Sequence, residues 1–342
     1  MGNLKIGIAY NLKQSLEVTG EAPEDIAEEL DCEETIDAIE NALQSGGYGV
    51  VRLGGGSDFI DRLRDESPDL VFNIAEGFGS RSREAHIPSI LEFLGLPYTG
   101  SDPLVLALTL EKALTKRVVA SLGVKTPAFR VVRSLKEKVY DFPLPAILKP
   151  LYEGSSMGIR LHSKVMSYDE LNSLAESLIL HYNEPVLVEE FLPGPELTVG
   201  LIGNGKDRRI IGIMEIVPRK IAQEDFIYSL EVKRAWREEV EYRVNPDYII
   251  SSCGDELRSS VLKIAEVLDI RDFARLDFRL DKNGMPNFLE INPLPGLNPN
   301  YSDLPIMAYA VGIQYNDMIL EIVESARKRY ESKGCHYLQQ GS

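Results

Sequence analysis

The stretch Arg271–Pro295, RDFARLDFRLDKNGMPNFLEINPLP, reads as two strands joined at Asn283-Gly284. That dipeptide favours positive φ at both central positions of a two-residue type I′ hairpin turn. With the turn there, Lys282 faces Met285, and counting back sets Asp277 opposite Glu290 and Arg275 opposite Asn292. Strand side chains alternate between faces, so these four point the same way. The other face carries Ala274, Leu276, Phe278 and Leu280 against Leu289 and Ile291, as a core-facing surface should.

Two carboxylates, an amide and a guanidinium on one face suit a hard cation. Mg²⁺ usually takes one or two carboxylates and completes its octahedron with water and substrate phosphates. Asp277, Glu290 and Asn292 are therefore candidate metal ligands and Arg275 a candidate anion clamp. Taken alone, the pattern equally describes an exposed sheet face on which unlike charges pair across strands. The rest of the chain decides between them.

The 342 residues leave room for two or three domains, and 44% hydrophobic with 26% charged residues is ordinary globular composition. A formal net charge of -16 argues against a nucleic-acid surface. Part of that excess lies in Glu17–Glu34, which has no Lys or Arg and is expected to be a solvated loop leading into a helix; a docking surface for something basic is the alternative. Cys32, Cys253 and Cys335 show no metal or redox spacing, so free thiols in a reducing compartment are expected. The start, with strand-like LKIGIAY, has no basic and apolar signal pattern. No run approaches the roughly 18 apolar residues of a membrane helix. A cytoplasmic protein is expected.

Strands at Leu4–Tyr10, Tyr48–Leu53 and Leu70–Ile74 alternate with helices at Glu33–Ser45 and Phe59–Arg64. Asp31 with Glu34 is a candidate capping box for the first of those helices. This is a small open α/β layer, in which ligands bind beyond the carboxyl ends of the strands. The turn after the third strand, Ala75-Glu76-Gly77-Phe78-Gly79-Ser80, lacks the third glycine of a dinucleotide loop. Glu76 there is either a holder for a substrate amine or a plain loop carboxylate. After a helix at His86–Leu94, Ser101-Asp102-Pro103 is a helix start and the first domain boundary.

Leu104–Leu122 is expected to be helical, broken near Thr109, with Lys112 on its own reading as solvated. The apolar strand Leu144–Pro150 holds Lys149, whose ammonium needs an anion there. Glu153-Gly154-Ser155-Ser156-Met157-Gly158 follows, with glycine backbone and serine hydroxyls suited to cover phosphates, or to form an ordinary hairpin loop. Helix Tyr168–Tyr182 precedes strands at Pro185–Leu192, Glu196–Gly203 and Ile210–Val217. Arg219–Pro246, containing Lys233, is too long for a routine connection and is expected to be a lid. Helices at Glu256–Leu268, Ile306–Tyr309 and Tyr315–Ala326 complete the chain, with a frayed tail beyond Lys328. The expected domains are 1–102, 103–190 and 191–330, with 331–342 as tail.

In order, EKALTK (Glu111–Lys116), AILKPLYEGSSMGI (Ala146–Ile159), VLVEEFLPGPELTVG (Val186–Gly200), ARLDFRL (Ala274–Leu280) and LEINPLPG (Leu289–Gly296) closely resemble the ATP-grasp superfamily. Within it the chain looks like the D-alanine:D-alanine ligases from Leu94 to about Arg329. The resemblance implies an α/β fold of two ATP-grasp lobes behind an N-terminal open parallel α/β domain, and an ATP-dependent carboxylate–amine ligase. It implies phosphate contacts from Lys112 and Lys149, and a closing loop at Glu153, Gly154, Ser155 and Ser156. Adenine contacts would come from Glu189, Glu190, Phe191 and Leu192, ribose contact from Glu196, and terminal-phosphate contact from Lys233. Asp277, Glu290 and Asn292 would hold two Mg²⁺, with Mn²⁺ as the alternative ion. Arg275 and the N–H of Gly296 would stabilise an oxyanion, with Ser155 and Lys233 also in the catalytic set.

The substrate-side residues depart from that family. A first-strand loop of Tyr10-Asn11-Leu12-Lys13, Glu76-Gly77 in place of His-Gly, Arg234 after the lid lysine and the terminal segment to Ser302 all differ. Glu76, Gly77, Arg275, Gly296 and Ser302 are the expected substrate contacts. The substrates implied are small amino acids or peptides, not nucleic acid or membrane, and a homodimer is the implied assembly. An authentic D-alanine:D-alanine ligase of cell-wall synthesis, a non-catalytic ATP-binding module and a phosphotransferase of the same superfamily stand as alternatives.

Overall fold

The computed structural model describes residues 4–16 and 22–332. Strand β1 (Lys5–Ala9) is apolar on both faces and is the middle strand of a parallel sheet. Helix α1 (Glu33–Ser45), β2 (Gly49–Arg52), α2 (Phe59–Glu66), β3 (Leu70–Asn73) and α3 (His86–Phe93) complete the N-terminal layer in the order β2-β1-β3. Parallel strands deliver the loops after β1 and β3 to one edge, where Asn11 Oδ1 accepts from Gly77 N at 2.9 Å. The expected capping box at α1 does not form. Cys32 is the N-cap, without a side-chain hydrogen bond to a helix N–H, and Asp31 lines the interlobe cleft.

Helices α4 (Pro103–Leu110) and α5 (Lys112–Ser121) come next. Asp102 accepts from Val105 N at 3.0 Å, and Glu111 accepts from Leu114 N at 2.6 Å where the helices break. A four-stranded antiparallel sheet follows, with β4 (Phe129–Val132), β5 (Ala146–Pro150), β6 (Lys164–Val165), α6 (Tyr168–Tyr182) and β7 (Val186–Glu190). Its buried face, with Leu148, Val186 and Val188, packs on Leu171, Ala175 and Leu178 of α6.

The larger lobe comprises β8 (Glu196–Ile202), β9 (Arg209–Pro218), α7 (Leu230–Arg234), α8 (Trp236–Glu239), β10 (Val240–Val244), α9 (Asp247–Val267), β11 (Phe273–Leu280) and β12 (Pro286–Asn292). Its sheet order is β10-β9-β8-β11-β12. Val105 of α4 and Val119 of α5 join the core under this larger sheet. Helices α10 (Asp303–Ala310) and α11 (Tyr315–Ser332) return to the N-terminal layer, where Met318, Ile319 and Ile322 meet Ile6, Ile36 and Ile39.

Three expectations change. The Arg219–Pro246 stretch contains α7, α8 and β10, so the lid is built from short elements. Helix α9 begins at Asp247 rather than Glu256, because Ile249 and Cys253 extend its buried face through a Ser-, Cys- and Gly-containing segment. Helix α11 continues past Lys328 to Ser332, held by the buried Arg329–Asp272 pair at 2.7 Å. Residues 17–21 of the acidic segment, the tail 333–342 and Cys335 lie outside the described residues.

The β11–β12 hairpin reaches its expected site register by a different route. Of Asn283 and Gly284 only Gly284 takes a positive φ, +74°. The loop has three residues, closed by Asp281 N donating to Met285 O at 2.9 Å, with Asp281 Oδ1 accepting from Asn283 N and Met285 N. That longer loop pairs Phe278 with Phe288, one step off the expected register. A bulge at Leu289 restores it, so Asp277 faces Glu290 and Arg275 faces Asn292. Leu289 consequently leaves the core for the cleft, and Phe288 takes the core position.

The small sheet is tied to α5 by a buried ion cluster. Glu189 Oε1 lies 2.5 Å from Lys116 Nζ and Oε2 lies 2.6 Å from Lys149 Nζ. Burial raises the carboxyl pKa, but the two ammoniums outweigh it and hold Glu189 down at about 2. Removing the shared anion leaves two buried cations unpaired. Glu189→Ala is expected to lower unfolding stability by about 3–5 kcal/mol, read from the denaturant midpoint; an unchanged midpoint contradicts this role.

Candidate active site

Two adjoining cavities lie between the lobes. The first has an apolar end walled by Ile147, Leu197, Ile216 and Leu289, beside Glu190, Phe191 and Leu192 at the exit of β7. Phe191 is flanked by Arg279, 4.5 Å from its ring centroid, and by Lys164, at 4.3 Å. Glu196 lies 3.3 Å from Arg279, and burial pushes its carboxyl up to about 7 against that guanidinium. Glu189 also lines this cavity, but its carboxylate is occupied by the two lysines.

The other end is basic. Lys112, Lys149 and Lys233 converge there with Glu153, Gly154, Ser155 and Ser156. Lys112 is buried, not solvated, and donates to the Glu153 carbonyl. Ser155 (φ 48°), Ser156 (φ 62°) and Gly158 (φ 71°) all take left-handed backbone, which sets Ser155 and Ser156 against the cavity. Burial and the neighbouring Arg275 lower the Lys233 ammonium pKa.

The acidic segment is not a solvated loop. Its described part docks on the outside of that basic loop and on the lid. Glu29 accepts from Gly154 N and from Arg83 at 2.5 Å, and Arg83 also reaches Glu153 at 3.1 Å. Fully buried Asp25 accepts from Gly158 N at 3.0 Å, Arg160 at 3.1 Å and Tyr182 Oη at 2.8 Å. Glu28 accepts from Arg234 of the lid at 2.6 Å. The docking partners are remote in sequence, so the charge run alone showed no cations to meet it.

Across the cavity stands the β11–β12 face. Arg275 makes a two-pronged contact to Asp277, Nε to Oδ1 at 3.0 Å and Nη2 to Oδ2 at 2.9 Å, and its Nη1 reaches Asp303 at 2.9 Å. Thr198 donates to Asp277 at 2.5 Å and Asn292 Nδ2 donates at 3.1 Å. Glu290 lies among Lys112, Lys149 and Arg275; burial opposes its ionisation, yet these cations lower its pKa. Asp277 and Glu290 line this cavity and Asn292 the adjoining one; two carboxylates and an amide oxygen are a hard-oxygen set that fits Mg²⁺.

The second cavity, about 410 Å³, opens from Arg275 and Asn292 towards the N-terminal layer. Glu76, Gly296 and Ser302 line it, joined by Asp31, Glu84, Trp236, Tyr242, Tyr301 and Asp303. A Cβ at Gly296 would stand 2.9 Å from Ser302 Oγ, so a larger residue there would displace the Ser302 side chain. Gly77 does not line either cavity. Its φ of +71° and the Arg83 carbonyl, 2.5 Å from a would-be Cβ, make it the turn that sets Glu76.

Thr198, Arg279, Leu289, Asp303, Glu84 and Asp31 were not singled out as site residues. Arg279 was legible, since it continues the alternation of Arg275 and Asp277; Leu289 required the bulge, and the others required the tertiary fold.

Residues 118–324 match the family described as D-ala D-ala ligase C-terminus. The D-alanine–D-alanine ligase of Aquifex aeolicus is 34% identical over 290 residues, covering 84% of this chain and 92% of that protein. A Sinorhizobium fredii protein, named as uncharacterized protein y4sG, is 31% identical over 307 residues, covering 87% and 89%. The crystal structure of D-alanine–D-alanine ligase from Bacillus anthracis complexed with ATP has a similar fold, with TM-score 0.73 at 21% identity over 97% of this chain and 100% of that one.

Burial pushes Asp31 up to about 7 and Glu84 up to about 8, the latter also facing Glu29, with Arg83 and Lys112 opposing. Between the unfolded carboxyl pKa and these values the folded protein binds more protons, so stability falls as pH rises. The thermal midpoint of the ligand-free protein is expected to decline from about pH 5 to 8. Glu84→Gln should flatten that decline; an equally steep profile in the variant contradicts it.

Proposed function

Because the chain belongs to the D-alanine–D-alanine ligase family, we propose that its cleft activates the carboxylate of an amino acid or short peptide as an acyl phosphate and passes it to an amine. The chain is an ATP-dependent carboxylate–amine ligase that forms a peptide bond. The observation that carries the finer reading is the Arg275–Asp277–Glu290–Asn292 face, set between the basic end of one cavity and the whole of the other.

In this reading adenine lies along Glu190–Leu192 and ribose on Glu196, while Lys112, Lys149, Lys233 and the Ser155 loop hold phosphates. Asp277, Glu290 and Asn292 would hold Mg²⁺, two ions or Mn²⁺ in their place, which offsets phosphate charge when bound. A substrate carboxylate oxygen attacks the γ-phosphorus and ADP leaves. The amine then attacks the acyl carbon, the C–O bond to phosphate breaks, and the amine loses its proton.

Lysines and the Ser155 loop hold the attacking and leaving oxygens in line. Arg275 and Gly296 N–H stabilise the tetrahedral oxyanion that forms when the amine adds to the acyl carbon. The lid, which carries Lys233 on α7, excludes water that would otherwise hydrolyse the acyl phosphate. Glu76 and Ser302 contact substrate. The free Cys32 and Cys253 support a reducing, cytoplasmic setting, and among the described residues no helix is long and apolar enough to cross a membrane. A homodimer is the assembly proposed with the family reading.

The test is incubation with ATP, Mg²⁺ and pooled amino acids, including D-alanine, reading phosphate release and product mass. An amide with stoichiometric phosphate is expected; ATP binding without an amide from any pool contradicts the reading. Dipeptide from D-alanine alone would identify the cell-wall reaction, and a phosphorylated product would identify a phosphotransferase. Arg275→Lys keeps the charge but loses the fork. It is expected to lower kcat by roughly 10²–10³-fold with ATP affinity retained, and unchanged turnover contradicts the oxyanion role.

A further inference from the structure

The N-terminal wall of the second cavity holds more carboxyl groups than the reaction uses. Glu76 and Glu84 both line it, and neither has a hydrogen-bond or ion-pair partner among the described residues. Glu84 is 8% exposed, so it is nearly withdrawn from solvent while it lines the cavity. Burial and then mutual repulsion with Glu84 drive the Glu76 pKa well up. Asp31 adds a third carboxyl to the same wall.

The cations around the cavity make no ion pair with Glu76 or Glu84 among the described residues: Lys13 lies 3.7 Å from Glu28, and Lys233 and Arg237 belong to the lid. Arg83 is held by Glu29 and Glu153, Arg234 by Glu28, and Arg275 by Asp277 and Asp303. Lys112 donates to the Glu153 carbonyl and faces the phosphate end. A carboxyl withdrawn from water without a partner favours its neutral form until a cation reaches it. Neither Glu76 nor Glu84 touches the Asp277, Glu290 and Asn292 set, so metal does not supply it.

A neutral amino acid brings one ammonium and can satisfy one of the two. We propose that this cavity selects an amino acid with a second, side-chain cation, an ammonium or guanidinium, with Glu76 and Glu84 dividing the two cationic groups between them. This deepens the ligase reading by naming its substrate class. Glu84 is then a specificity-determining residue whose position, in the turn after β3, no local sequence pattern marks as a ligand contact.

The test is calorimetric binding to the full chain with Mg²⁺ and a non-hydrolysable ATP analogue. Probes are both enantiomers of lysine, ornithine and arginine against the neutral isosteres norleucine, norvaline and citrulline. At least one basic amino acid is expected to bind roughly 30-fold tighter than its isostere, the scale of one charge-assisted hydrogen bond. Glu84→Gln should shrink that ratio to about 3-fold or less with analogue affinity unchanged, and Glu84→Asp should recover part of it.

Equal binding of basic and neutral probes, or a ratio untouched by Glu84→Gln, overturns the proposal. Amide formation with neutral amino acids only also overturns it while leaving the ligase reading intact. Selective lysine or arginine binding without amide from any pool supports the cation site and counts against ligation instead.

Discussion

Side-chain alternation along one antiparallel hairpin is the constraint on which the rest depends. Arg275 and Asp277 are two residues apart on β11, and Glu290 and Asn292 two apart on β12, so the pleat alone turns all four to one side. Their opposite neighbours, Leu276 and Ile291, are buried in the core beneath the sheet. Burial of one face therefore fixes the chemistry of the other, since a one-residue slip would send the carboxylates into the core. Arg275 and Asp277 hold each other rigidly, and Thr198 and Asp303 brace the pair from β8 and α10.

Much of this was readable before any coordinates. Helices α1 and α6 fall at the expected residues, although the capping box expected for α1 does not form. The hairpin register was right at the site for partly wrong reasons: the loop is one residue longer than Asn-Gly suggested, and the Leu289 bulge cancels the shift. A bulge has no strong local signature, so Leu289 could be placed on the wrong face while Asp277 and Glu290 stayed correctly paired. Serine and glycine near Cys253 similarly hid the first turns of α9, where burial overrides propensity.

The larger gap concerned charges whose partners are distant. Asp25 and Glu29 read as part of a solvated acidic run, yet they accept backbone N–H groups from Gly158 and Gly154. Glu189 sat in an adenine-contacting motif, yet its carboxylate joins α5 to the small sheet through Lys116 and Lys149. Composition counts charges but cannot pair them. The same property of the fold leaves Glu76 and Glu84 beside the second cavity without hydrogen-bond or ion-pair partners among the described residues. The N-terminal layer thus contributes both the latch that shapes the phosphate loop and the acidic wall of the substrate cavity.

The central claim is that a substrate carboxylate oxygen becomes bonded to the γ-phosphorus in this cleft. Positional transfer of ¹⁸O tests it most directly. Amino acids labelled in the carboxyl group are supplied with unlabelled ATP and Mg²⁺, and the released phosphate is analysed by mass. An acyl phosphate requires labelled oxygen to pass into the phosphate with each amide bond formed. Amide formation with unlabelled phosphate would contradict the account.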